Sequence, residues 1–204
     1  MKPEQLRDIG YPSNITELIG KDESIQLIEE TVDQYIIHDT YNEEDRVLHI
    51  NKEPGLRDEQ FCFFNNEIDK DAILSFAKTL PDILYMNLNK VYFVEKEQDL
   101  LGEVDEESPN HTFFFSGKED PLGMSVYRDS IAFVNLNQAR ATAREEEKDD
   151  LLVLGYSKGE EAYFMDIVLQ TLAHELFHLT QFNPLIEELI PEGEEAAETF
   201  CRHY

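Results

Sequence analysis

The chain has 204 residues, 44 of them acidic and 17 basic, for a formal net charge of −27. Apolar residues make up 41%, with 13 Phe and 9 Tyr, which excludes a disordered chain and fits one domain, residues 1–204, with a substantial core. The acidic excess runs through both halves and argues against direct contact with nucleic acid backbone or an anionic membrane, because phosphate contacts need Lys and Arg.

The first residues, MKPEQLRDIGYPSN, hold no apolar run and predict no secretory signal. Residues 22–36 place Ile25, Ile28, Val32 and Tyr35 at helical spacing behind Asp22, and predict a helix. Val47–Asn51 and Gln60–Phe64 read as strands, separated by Pro54-Gly55. Asp69–Leu80 reads as a helix stopped by Pro81, and Lys90–Lys96 as an alternating, half-buried strand. Gln98–Asn110 reads as a loop and His111–Ser116 as a strand. Ser130–Asn135 predicts a strand, Asn137–Lys148 a solvated helix, and Leu151–Leu154 a short strand. No stretch has the length and apolarity of a bilayer span. The two cysteines, Cys62 and Cys201, supply no disulfide framework, so a reducing cytoplasm is the expected setting.

The most informative segment is His174-Glu175-Leu176-Phe177-His178, an H-E-x-x-H pentapeptide. A chain with six His and 28 Glu would carry this pattern by chance about 0.02 times. Asp166–Thr180 has apolar residues at three- and four-residue steps and no Gly or Pro, as a largely buried helix requires. On such a helix His174 and His178 share one face, about 40° apart, and can bind one metal ion together. Glu175 lies about 100° round the axis, where a carboxylate can hold a water. Catalytic zinc commonly takes three protein ligands. A third His at the short metzincin spacing would need Gly at 181 and His at 184, and the chain has Gln181 and Pro184. A carboxylate from a second helix remains. Pro191 suits the start of such a helix, running Glu192 to about Arg202.

Glu194-x-x-Ala197-Glu198 resembles the E-x-x-A-D/N element of gluzincin metallopeptidases, and with Phe200-Cys201 the likeness extends to the ImmA/IrrE type. It covers residues 174 to 203. The resemblance implies Glu194 as third zinc ligand, Ala197 as the close contact between helices, and Glu198 as the group supporting the metal site from behind. Glu198 and then Glu195 are the next choices for the ligand. Position 198 departs from the usual Asp or Asn, Phe177 stands where many relatives have a small residue, and Gly193 replaces Asn. The implied fold is α+β and zincin-like: a small mixed sheet packed on the active-site helix, with a second ligand-bearing helix at the C-terminus. An edge strand of that sheet, at Ser125–Tyr127 or Ile131–Asn135, would accept an extended substrate.

The expected activity is zinc-dependent hydrolysis of peptide bonds in a protein or peptide, with Glu175 as general base. His203, Tyr204 and Tyr163 offer oxyanion donors by residue type. His38, His49 and His111 are isolated in sequence and read as structural or exposed. A net charge of −27 reads first as a device for solubility; its functional readings are a basic protein substrate or partner, or mimicry of DNA, and ImmA/IrrE-type relatives, which cut transcriptional repressors, suit the first of these. The alternative is a non-catalytic acidic binding protein, a DNA mimic or decoy on the same scaffold.

Overall fold

A computed structural model describes residues 1–19, 25–31, 34–40, 43–64, 67–96, 120–127, 129–183 and 185–204. Two short helices, α1 (Pro3–Ile9) and α2 (Ile15–Ile19), lead into an antiparallel sheet of β1 (Ile25–Glu30), β2 (Gln34–Asp39) and β3 (Glu44–His49), in that order. The helix expected at 22–36 is therefore two strands. Its apolar residues serve a paired sheet: Ile25, Tyr35 and Ile37 are buried, while Ile28 is 54% exposed, so the helical spacing mixes both faces.

A second sheet is built from β4 (Phe61–Phe63), β5 (Lys90–Val94), β6 (Gly123–Val126) and β7 (Ile131–Asn135). Its order is β4-β5-β7-β6. The first three run parallel, and β6 pairs antiparallel with β7 at one edge. Val91, Phe93, Ala132 and Val134 face the main core, whereas Tyr92, Val94, Ile131 and Phe133 form a smaller cluster on the opposite face. The expectation of a half-buried strand at Lys90–Lys96 is thus corrected. A central parallel strand is covered on both sides, so every residue from Val91 to Val94 is buried.

Between the strands of this sheet runs α3 (Lys70–Ala77), whose Asp69 cap accepts from the Ala72 N–H at 2.9 Å. A long antiparallel pair follows, α4 (Leu136–Val153) and α5 (Glu160–Gln181), and then α6 (Glu194–Cys201). Leu151–Leu154 is not a strand. The helix begun at Leu136 meets no Gly or Pro until Gly155, so it runs on and leaves Leu151, Leu152, Val153 and Leu154 at 52–80% exposure. Helix α5 lies against α4, α6, β6 and β7, and its Val168, Leu172, Leu176 and Leu179 have no exposed surface. One contiguous core runs from Leu6 to Phe200. The architecture is α+β. The expected loop at Gln98–Asn110 and strand at His111–Ser116 lie outside the described residues, Gln98 to Ser116 included.

Candidate metal centre

Three elements build the site. The buried stripe of α5 fixes the rotation of that helix, and so the direction in which His174 and His178 project. The second element, α6, begins two residues later than expected. Gly193, at φ 89°, holds a backbone conformation open to glycine alone, so Pro191 stays outside the helix and Glu194 becomes its first residue. Ala197, with no exposed surface, lets α6 approach α5 closely. Phe177 stacks on Phe200 with ring centroids 5.0 Å apart, so its bulk fills the contact between the two helices.

The three side chains that the sequence singles out as ligands converge. His174 Nε2 is 2.9 Å from His178 Nε2 and 3.0 Å from Glu194 Oε1, and His178 Nε2 is 3.1 Å from Glu194 Oε2. Their ligand atoms form a group able to hold one metal ion. A tetrahedral zinc with bonds near 2.0–2.1 Å spaces its donors about 3.3 Å apart, so the residues fit the ion with adjustments of a few tenths of an ångström. Burial, and then the neighbouring His178, hold the His174 imidazole below its ordinary pKa, which keeps a lone pair free for a cation.

One contributor was not singled out from sequence. Gln181, three residues past His178, accepts from its Nδ1–H at 2.7 Å, which leaves Nε2 unprotonated toward the cluster. The Gln181 amide also donates to the carbonyls of Pro191, at 2.8 Å, and Gly193, at 3.1 Å. It therefore ties the imidazole to the turn that delivers Glu194. The i+3 spacing from His178 was the available signal. Glu198, expected behind the metal site, accepts from Arg202 at 2.9 Å and lines a cavity beside the cluster. Its charge still acts on His174. Glu195 lies exposed in the first turn of α6, beside the cluster-forming Glu194.

Glu175 is 6% exposed, and burial pushes its carboxyl up to about 7, against the Ser125 hydrogen bond, which lowers it. Ser125 Oγ is 2.7 Å from Glu175 Oε2 and 2.9 Å from the Glu175 carbonyl, so one hydroxyl proton bridges strand and helix. Gly123 lies closer still. A Cβ there would fall 2.6 Å from both Glu175 Oε1 and Thr171 Cγ2. Only a glycine lets β6 approach Glu175 in this way. Two residues beyond Ser125, the Tyr127 ring lies 3.8 Å from that of Phe182, one turn past His178. Burial raises its phenol pKa, and so do the Glu175 and Glu194 charges. Of the two edge-strand candidates, Ser125–Tyr127 is at the sheet edge and Ile131–Asn135 is interior.

The other oxyanion candidates, and His38, make contacts apart from the cluster. Tyr163 bonds Asp150, His203 Nδ1 contacts the Thr199 carbonyl at 2.6 Å, and Tyr204 packs edge-on against Phe76. His38 pairs with Asp45 on the first sheet. Cys62 and Cys201 are both free thiols, and Cys201 lines the cavity. No helix among the described residues is long and apolar enough to cross a membrane. No protein-family model, curated protein or solved structure matches the chain.

Proposed function

We propose that the protein is a zinc-dependent peptidase of the gluzincin kind, with a zincin-like arrangement of its edge strand and two ligand helices. The observation that carries this is the convergence of His174, His178 and Glu194 to about 3 Å beside a buried carboxylate. His174, His178 and Glu194 hold the ion, and Gln181 keeps His178 in its binding tautomer. Zinc bound there supplies Lewis acidity toward the scissile carbonyl and lowers the pKa of water. Glu175 takes a proton from the attacking water as the new C–O bond forms. It then delivers that proton to the amide nitrogen as the C–N bond breaks. Ser125 occupies Oε2 of Glu175, which leaves Oε1 for both transfers. Tyr127, whose ring packs on Phe182 one turn past His178 and whose phenol feels the Glu175 and Glu194 charges, is the candidate donor to the oxyanion. The edge of β6 accepts substrate backbone. The substrate is a protein or peptide, and the two free thiols suit a reducing, cytoplasmic setting.

Metal analysis tests the first half of this reading. About one zinc per chain is expected, lost in His174→Ala and His178→Ala. Peptide cleavage abolished in Glu175→Gln with zinc retained tests the second half. The charge of −27 favours one other reading, an acidic binding protein without turnover. A biological effect that persists in Glu175→Gln would select it.

A further inference from the structure

Beside the metal cluster is a cavity of about 360 Å³, within the ~300–1,000 Å³ usual for ligand sites. Along α5 it extends from His174 back to Ile167, about 10 Å at 1.5 Å per residue. Leu122 and Ile167 give it apolar wall, Glu146 enters from α4, and Glu198 enters from α6. We propose that this cavity receives an Arg or Lys side chain of the substrate, next to the scissile bond. The assignment rests on the peptidase reading above.

Among the described residues, four carboxylates line the cavity and no Lys or Arg does. Glu194 faces the two imidazoles and Glu175 is held by Ser125. Glu146 and Glu198 remain. Glu146 is exposed and makes no ion pair among the described residues. Glu198 pairs with Arg202, whose side chain is 73% exposed, and such a surface pair yields readily to a better-enclosed cation. A basic side chain suits this shape twice. Its aliphatic stem covers apolar wall while its cationic head reaches a carboxylate. A neutral chain of the same length offers Glu146 no cation and leaves Glu198 with Arg202, and an acidic one is repelled. The overall charge brings basic peptides toward the opening, but does not by itself choose a side chain at one position.

The test uses two blocked hexapeptides, identical except for central Arg or norleucine. Calorimetry on zinc-loaded Glu175→Gln protein measures binding without turnover, and wild-type kinetics measure cleavage. The Arg peptide is expected to bind roughly 10- to 100-fold tighter. That preference should vanish in Glu146→Gln/Glu198→Gln and persist in the charge-matched Glu29→Gln/Glu53→Gln, neither of which lines the cavity. Equal binding of the two peptides, undetectable binding of the Arg peptide, or equal loss in both double variants overturns the subsite. Cleavage of both peptides at equal rates overturns it too, while the peptidase reading stands. Arg-selective binding without cleavage by wild type supports the cavity as a site for a basic side chain, in a binding protein, and refutes the peptidase reading instead.

Discussion

Replacing Gly123 with Ala perturbs Glu175, the proposed general base, without touching a proposed metal ligand. The added methyl would sit 2.6 Å from Glu175 Oε1, 2.7 Å from Glu175 Cγ and 2.6 Å from Thr171 Cγ2, where ordinary contact begins near 3.4 Å. Something must move by about 0.8 Å. Glu175 is 6% exposed and hydrogen-bonded to Ser125, and Thr171 is 7% exposed, so neither swings freely into solvent. Overpacking of this kind costs about 1–3 kcal/mol, which for a chain this long lowers Tm by about 3–10 °C. Displacing a general base by nearly 1 Å costs roughly 100-fold in kcat. Scanning calorimetry, zinc content and peptide kinetics read the three quantities separately. The expected result is lower Tm, unchanged zinc and kcat down about 100-fold. Gly155→Ala is the control: it carries left-handed strain at φ 76° with nothing within 4 Å, so it should lower Tm and leave kcat alone. A Gly123→Ala protein with wild-type Tm and kcat would refute the close approach of β6 to Glu175.

Gln181→Leu keeps the side-chain size but removes the bond to His178 and both bonds to the Pro191–Gly193 turn. Zinc affinity should fall 10- to 100-fold in a competitive chelator titration, and unchanged affinity would remove Gln181 from the site. Tyr127→Phe should lower kcat by about 10²-fold or more with zinc content unchanged, and a kcat within twofold of wild type excludes the phenol as oxyanion donor. Chelation of zinc should lower Tm by roughly 5–15 °C, as expected for a ligand present at 100–1,000 times its Kd, while the far-ultraviolet spectrum at 25 °C is retained. A chain that unfolds outright on chelation would show that the metal, rather than the α5 core, holds α6 in place.

Legibility from sequence followed how local each determinant was. The α5 stripe is a local pattern, and it placed His174, Glu175 and His178 on the right faces. Glu194 was reachable because its helix follows directly, though the position of Gly193 was needed to see that the helix starts there. The 22–36 segment misled because apolar spacing alone does not distinguish one helix from two paired strands; its β-branched content was the better guide. Leu151–Leu154 misled for the opposite reason, since four apolar residues suggest burial that no neighbour supplies. The roles of Gly123 and Ser125 were not legible. They touch Glu175 across roughly 50 residues of chain, and only tertiary pairing brings β6 to α5.

The apolar run at the end of α4 has a colloidal consequence. Leu152 and Val153 are 74% and 80% exposed, with Tyr156 at 68% beside them, on a molecule carrying −27. Between molecules, charge repulsion opposes contact through these tips, and it reaches about 8 Å at physiological ionic strength but only about 3 Å in 1 M salt. Ionic strength therefore sets whether the tips meet. The same charge would draw cations toward the proposed metal site and oppose association, and concentrated salt would weaken both effects together.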